Sequence, residues 1–307
     1  MSHETIEAPS GARLAHFRRD VERPRAVLCV QHGMSEHAAR YGRFQDALAE
    51  RGYASVAHDH RGHGATEADN PVPLHFGPGG WDAVVEDAAH VAREAAGRHE
   101  GAPLVAFGHS MGGIVAMNLA LRHTELFAGT AIWNIGFRQG PMGLALRALL
   151  KIERLRLGSD VPSPTVRRLT FKAFNKRFAP NRTEADWLSR DEAEVDAYVA
   201  DPKCGGPPTV GMWIDVTKGI RRAADDEPLA LLPKAMPFHL LGGAKDPVTD
   251  GGAATRTLER RLGEAGLTDV TATVLDNTRH EALNEVNRDT TTDAFIGWLD
   301  ARFLARD

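Results

Sequence analysis

The chain has 307 residues, which suits one large α/β domain with an insertion or two separate domains. With 42% hydrophobic and 25% charged residues, the composition is that of a globular protein and excludes collagen, coiled coils and global disorder. The net charge of −4 provides no overall positive field, so nucleic-acid binding is not expected.

Export and membrane insertion are not predicted. The first residues lack both a basic opening and an apolar run of signal-peptide length, so we expect a cytoplasmic protein. The nearest approach to a membrane-spanning helix, residues 127–137, is shorter than the required stretch of about 20 apolar residues. Cys29 and Cys204 are too few for a disulfide framework or a four-ligand zinc site and are expected to be reduced thiols.

Apolar runs and helical periodicity alternate along the first part of the chain. In chain order they predict a strand at 26–30, a helix at 44–51, a strand at 53–57, a helix at 81–95, a strand at 103–107, a helix at 110–122 and a strand at 129–133. This alternation is typical of a parallel sheet with right-handed crossovers, so the predicted fold class is α/β.

The alternation breaks between residues 134 and 226, where several prolines interrupt short helix-like pieces. It resumes with a strand at 238–241, a helix at 253–262, a strand at 270–275 and a helix at 289–303. We therefore predict a core domain, residues 1–133 and 227–307, with helices on both faces of its sheet. Residues 134–226 are predicted to form an inserted cap, or lid.

Residues 108–113 place Ser110 in a Gly-x-Ser-x-Gly pattern between a predicted strand and a predicted helix. In that context the two glycines let the backbone turn sharply and lift the hydroxyl above the sheet, with a helix N-terminus facing the reacting centre. We predict that Ser110 is a catalytic nucleophile rather than an incidental serine in a glycine-rich turn.

A nucleophilic serine needs a base and an orienting carboxylate, which hydrolases of this kind supply in the order Ser, Asp or Glu, His. Asp246 follows the strand at 238–241 and His280 follows the strand at 270–275, so both should meet Ser110 at the carboxyl edge of the sheet. Asp276 is a weaker alternative for the acid, and Asp250 is interpreted as a possible helix cap.

The oxyanion formed by serine attack needs at least two preorganised donors. We assign them to the backbone N–H groups of Met111, directly after the nucleophile, and Met34, in the turn that Gly33 permits after the first predicted strand.

Three histidines within six positions, His58, His60 and His63, raise the alternative of a metal-dependent hydrolase. The spacing partly matches His-x-His-x-Asp-His, but Gly62 occupies the position of the aspartate. We therefore interpret the segment as a structured loop and expect no metal and no cofactor.

Together these segments resemble the α/β-hydrolase fold family, specifically its branch of monoacylglycerol lipases and bacterial lysophospholipase-like enzymes, related to serine aminopeptidases. The resemblance covers residues 11–304 and rests on segments 32–41, 59–64, 108–113, 182–191, 198–205 and 280–285. It implies hydrolysis of carboxylic esters, with monoacylglycerol or lysophospholipid as the leading substrate classes.

Two features depart from that branch, the Trp133-Asn134 pair after the fourth predicted strand and an unusually basic cap. We expect both to affect the acyl pocket or its entrance rather than the triad. An aminopeptidase or amidase on the same scaffold and a non-catalytic small-molecule binder are alternatives, and the oligomeric state is left open.

Residues 147–182 contain ten basic and two acidic residues, a local excess of +8. A helix here would have a basic side and an apolar flank, and such helices can lie on an anionic membrane. The basic side would carry Arg147, Lys151 and Arg154, and the flank Leu146, Leu149, Leu150 and Ile152. In the alternative interpretation, the leucines cover the active site or a subunit contact.

Overall fold

The computed structural model describes residues 3–136 and 140–304; residues 137–139 of the predicted cap, like 1–2 and 305–307, lie outside this description. The described residues form one eight-stranded sheet and eleven α-helices. The strands are β1 Glu4–Glu7, β2 Arg13–Arg19, β3 Val27–Gln31, β4 Ala54–His58, β5 Leu104–His109, β6 Gly129–Trp133, β7 Phe238–Gly243 and β8 Val270–Leu275.

None of the described helices is both long enough and apolar enough to cross a membrane. They are α1 Gly42–Glu50, α2 Gly80–Arg98, α3 Met111–Arg122, α4 Gly140–Leu157, α5 Pro164–Leu169, α6 Phe171–Lys176, α7 Glu192–Ala200, α8 Val210–Ala223, α9 Asp226–Ala230, α10 Ala253–Glu264 and α11 Arg288–Phe303.

The sheet has the strand order β1-β2-β4-β3-β5-β6-β7-β8. Strands from β4 to β8 in this order are parallel, and β2 pairs antiparallel with both β1 and β4. The predicted α/β fold with a mostly parallel sheet is confirmed. The sequence analysis missed β1 and β2 because these strands at the sheet edge carry many charged side chains, which obscure an apolar pattern.

β3 shows why helices cover both faces of the sheet. All five of its residues are buried, with Val27 and Cys29 in one apolar cluster and Leu28 and Val30 in another. Because side chains alternate along a strand, the two clusters lie on opposite faces. Helices α2, α3 and α10 contribute to the first cluster, and α1 and α11 contribute to the second.

In the described part of the chain, helices α4 to α8 lie within the predicted cap, and α9 begins at its end. Met212 and Val216 of α8 belong to the main core cluster. Gly219 lies so close to α2 that an added Cβ would stand 2.2 Å from the Trp81 indole. α8 therefore packs against the core cluster and against α2.

Candidate active site

Ser110 lies in a sharp turn between β5 and α3. Its backbone adopts φ 54° and ψ −120°, a strained conformation for a residue with a side chain. An added Cβ at Gly108 would stand 2.0 Å from the Gly112 carbonyl oxygen, and one at Gly112 would stand 2.0 Å from that of Gln31. The glycines before and after the serine therefore allow the turn that presents its hydroxyl.

A continuous hydrogen-bonded chain joins Ser110, His280 and Asp246. The Ser110 hydroxyl lies 3.0 Å from Nε2 of His280, and Nδ1 of His280 lies 3.0 Å from Oδ1 of Asp246. A neutral imidazole protonated at Nδ1 satisfies both contacts, because it donates to the carboxylate and accepts from the hydroxyl. The arrangement can remove the hydroxyl proton from Ser110.

Several donors surround the buried Asp246 carboxylate. Nδ2 of Asn134 donates to Oδ2 over 3.0 Å, and the Val248 backbone N–H donates to Oδ1 over 2.8 Å. Burial opposes the negative charge, but His280, Asn134 and Val248 outweigh it and lower the pKa of Asp246 below its usual value. Asp246 is therefore ionised at neutral pH and can orient the imidazole.

The Trp133-Asn134 pair does not lie where the sequence analysis expected. Asn134 is buried at φ 54° and contacts Asp246, so the expectation that it affects the acyl pocket rather than the triad is wrong. Trp133 is buried in the core, where its Nε1 donates to Nδ1 of His239 over 3.0 Å. The position of Asn134 directly after β6, between the strands that precede Ser110 and Asp246, is the signal that could have identified it.

The other two aspartates that we considered lie away from the imidazole. Asp276 and Asp250 are exposed, and the described hydrogen bonds of His280 involve neither carboxylate. Asp250 is not the cap of α10, since the N-cap residue of that helix is Gly252. It lies instead in the preceding turn at φ 53°.

The loop after β3 passes directly beside the nucleophile. At Gly33 an added Cβ would stand 3.4 Å from Cβ of Ser110 and 2.6 Å from Oε1 of Glu36. Met34 and Met111 line one cavity together with Ser110. The structure therefore brings the two residues predicted to supply oxyanion donors next to the serine.

A buried ion network adjoins the same loop. Arg40 pairs with both Glu36 and Glu281, and its two bonds to Glu281 measure 2.8 and 2.7 Å. Burial opposes these charges, but Arg40 and His109 hold the pKa of both carboxyls below their usual values. Burial also opposes a charged His109, whose pKa is nevertheless raised by Glu36.

This ion network connects three parts of the site. Glu36 accepts a hydrogen bond from the Gly33 N–H over 2.6 Å, and Nε2 of His109 lies 3.0 Å from the backbone carbonyl of His280. The sequence analysis missed this role, although Glu36 and Glu281 lie in segments that carry the resemblance. The sequence signal that could have identified Glu36 and Glu281 is that a charged residue stands next to, or two positions from, a predicted site residue.

The histidine-rich loop packs against the loop after β3. Within the residues described, His58, His60 and His63 do not form a three-ligand group, and the rings of His60 and His63 lie 6.5 Å apart. Nε2 of His63 accepts from the Ser35 N–H over 3.3 Å, and Nε2 of His32 accepts from the His60 N–H over 2.9 Å. Burial lowers the pKa of His32 to about 4 and those of His58 and His63 to about 3, so these imidazoles are neutral.

Two cavities meet at Ser110. One, of about 380 Å³, is lined mainly by apolar side chains of α3, α4, α6 and α8. The other, of about 660 Å³, is more polar and has four basic side chains in its wall, Arg167, Lys172, Lys176 and Arg182. An elongated apolar group and a polar group can therefore occupy different sides of the serine.

Comparison with known proteins identifies relatives over most of the chain. The family described as "Serine aminopeptidase, S33" matches residues 22–287. The monoglyceride lipase of Homo sapiens is 28% identical over 242 residues, which cover 77% of this chain and 70% of the relative. The monoacylglycerol lipase of Mycolicibacterium smegmatis is 26% identical over 278 residues, which cover 90% and 88%.

Solved structures show the same fold. A thermostable carboxyl esterase from Bacillus coagulans superposes with a TM-score of 0.87 at 23% identity, covering 99% of this chain and all of the esterase. A monoacylglycerol lipase from Paleococcus ferrophilus gives a TM-score of 0.67 at 21% identity, covering 94% and 99%.

Proposed function

Because the chain belongs to the serine aminopeptidase, S33, family of α/β-hydrolases, we propose that it is a serine hydrolase that cleaves carboxylic esters of monoacylglycerol or lysophospholipid type. The observation that carries this proposal is the Ser110–His280–Asp246 hydrogen-bonded chain beside an apolar cavity. Relatives named as monoglyceride and monoacylglycerol lipases support the ester substrate.

In the proposed mechanism, Oγ of Ser110 attacks the ester carbonyl while Nε2 of His280 takes the hydroxyl proton. The backbone N–H groups of Met34 and Met111 stabilise the tetrahedral oxyanion. His280 then protonates the departing alcohol and leaves an acyl-enzyme, which water hydrolyses in a second cycle. Asp246 holds the imidazole in its Nδ1–H form and stabilises the imidazolium that forms in each step.

The two cavities support an assignment of the substrate's parts. We assign the acyl chain to the apolar cavity, because burying its methylene groups contributes about 0.8 kcal/mol each. The alcohol then leaves through the larger cavity. Lys172 and Lys176 line that cavity and have no described acidic partner, which favours a lysophospholipid with an anionic head group beside the monoacylglycerol.

The wall of the larger cavity argues against an aminopeptidase. A free α-amino group needs an unpaired carboxylate, but Glu36 and Glu281 are bonded to Arg40, and Glu184 pairs with Arg167 over 2.6 Å. In the described part of this wall, every carboxylate already has an arginine partner. Ester hydrolysis is therefore the function that the site supports best.

We also propose peripheral contact with anionic membranes, through a surface that overlaps the predicted one only in part. Leu146 and Leu149 line the apolar cavity and Leu150 packs in a buried cluster, as the alternative interpretation expected. The outer side of α4 exposes Leu144 by 60%, Ile152 by 52% and Leu155 by 87%. Lys151 and Arg154 are exposed on the same helix and would face anionic head groups.

The proposed membrane contact predicts salt-sensitive binding to anionic vesicles. Replacing Ile152 and Leu155 together by Ser should weaken that binding and leave hydrolysis of a short soluble ester unchanged. Absence of binding of the wild-type protein to anionic vesicles at low salt would disprove the contact.

The cytoplasmic location and the division into core and cap stay predictions from the sequence.

The decisive experiment compares wild type with Ser110→Ala on p-nitrophenyl esters, monoacylglycerols, lysophosphatidylglycerol and aminoacyl amides. Ester turnover should fall by several powers of ten in the variant, and a serine-directed phosphonate should label wild type only. Near-normal turnover by Ser110→Ala would disprove the mechanism. Binding of these lipids without any hydrolysis would favour the non-catalytic binder.

A further inference from the structure

Outside the proposed catalytic machinery, His37, Asp201 and Cys204 bring together three types of metal ligand. One ligand atom of each lies within 4.8 Å of the other two, and Nε2 of His37 is 2.8 Å from Oδ2 of Asp201. All three residues are partly buried. Across residues 3–136 and 140–304, this is the one group of three such side chains at this spacing.

The two chain segments that carry these side chains are held together by separate hydrogen bonds. The Ser35 carbonyl accepts from the Gly205 N–H over 2.9 Å and from the Tyr198 hydroxyl over 3.0 Å. The Ser35 hydroxyl donates to the Gly206 carbonyl over 2.9 Å. The relative position of the three ligands is therefore established before any metal arrives.

Hydrogen bonds within the group also direct the carboxylate. Oδ1 of Asp201 accepts from the Lys203 N–H over 2.8 Å, and Oδ2 is the oxygen that faces His37. An imidazole nitrogen, a carboxylate oxygen and a thiolate sulfur are the ligands that Zn²⁺ prefers, and a three-residue site leaves a fourth position for water.

We propose that His37, Asp201 and Cys204 bind one Zn²⁺ ion. Zn²⁺ takes the place of the proton between His37 and Asp201: the Nε2–H bond breaks, Nδ1 of the same ring takes up a proton so that the imidazole stays neutral, and the ion bonds to Nε2 and to Oδ2 of the carboxylate. The S–H bond of Cys204 breaks, its proton passes to the buffer and a Zn–S bond forms, with no change in oxidation state. The proposal is independent of the proposed esterase function.

A bound ion would connect residues 201–206 directly to the loop that follows β3. Cys204 and Ser110 line the same 660 Å³ cavity, so the ion would lie in the wall of that cavity. Because the three ligands come together only in the folded chain, Zn²⁺ binding should raise the thermal unfolding midpoint.

The test titrates the full-length, chelator-treated protein with Co²⁺ and then with Zn²⁺. One equivalent of Co²⁺ should produce a near-ultraviolet thiolate-to-cobalt charge-transfer band, which Zn²⁺ should remove by displacement. Cys204→Ser should abolish the band and the Zn²⁺-dependent rise in the midpoint. His37→Gln and Asp201→Asn should each weaken Zn²⁺ binding at least about tenfold, because even an outer-shell partner contributes about 10- to 100-fold to metal affinity.

Two control variants match these changes elsewhere in the chain. Cys29→Ser alters the buried second cysteine. His99→Gln breaks a His–Asp pair with Asp20, at 3.2 Å, that belongs to no three-ligand group in the described residues. Both should retain the band, and circular dichroism without metal should show that every variant is folded. No band in wild type, a band that persists in Cys204→Ser, or an unchanged midpoint with Zn²⁺ would each overturn the proposal.

Discussion

Acidification should destabilise this protein at a pH well above that at which its carboxyl groups protonate. The reason is a set of histidines that are buried in the neutral form. In addition to His32, His58 and His63, burial lowers the pKa of His239 to about 3. Below the usual histidine pKa of 6.5, these side chains take up protons in the unfolded chain but not in the folded one.

The size of the effect follows from these pKa values. Each lowered histidine removes about 1.4 kcal/mol of unfolding free energy per pH unit once the pH is below its unfolded pKa. From about pH 7.5 to about pH 5.5 each removes roughly 1.3 kcal/mol, so four remove roughly 5 kcal/mol. That is comparable to the whole stability of many domains, about 5 to 15 kcal/mol.

Other groups change this value in known directions. Burial also lowers the pKa of His60 well below its usual value, so this side chain adds to the loss. The pKa of His109 is raised on folding, so its contribution to stability is present at low pH and offsets part of the loss. The lowered pKa of the Glu36 carboxyl contributes stability that is lost only as the pH falls below about 4.5. The histidines therefore dominate the range from about pH 7.5 to about pH 5.5.

The assay is urea unfolding followed by tryptophan fluorescence at constant ionic strength across this pH range. His58 is the informative position, because neither ring nitrogen has a described hydrogen-bond partner. His58→Leu should reduce the pH-dependent loss by roughly 1.3 kcal/mol, whereas His3→Gln, at an exposed position, should leave it unchanged. An unfolding midpoint that does not move between about pH 7.5 and about pH 5.5 would refute the reasoning.

Two further predictions concern catalysis. Asp246→Asn should lower kcat for a soluble ester by about 10⁴, while Asp276→Asn should have little effect; the reverse ranking would give the acid role to Asp276. Asn134, at φ 54°, donates to the Asp246 carboxylate, so Asn134→Gly should lower kcat by about tenfold or more. The control Asn277→Gly, at φ 55° in an exposed turn, should leave kcat unchanged, and equal rates for the two variants would show that Asn134 does not position Asp246.

The sequence by itself determined where the parallel strands lie along the chain and the positions of the candidate nucleophile, base and acid. These features follow from local patterns, since an apolar run of strand length or a helical period needs no knowledge of distant residues. Ser110, Asp246 and His280 each lie within about five residues of the end of a predicted strand, and the carboxyl ends of parallel strands meet at one edge of a sheet. Their proximity could therefore be predicted from chain order alone.

Only the tertiary structure decided which side chains support those positions. The Asn134–Asp246 bond joins residues 112 positions apart, and the Arg40–Glu281 bond joins residues 241 apart. Local periodicity carries no information about such pairs, because they depend on how segments far apart in the chain pack together and on the turn at the end of each strand. The same limit applies to α8, whose contact with α2 joins segments that strands β5 and β6 separate along the chain.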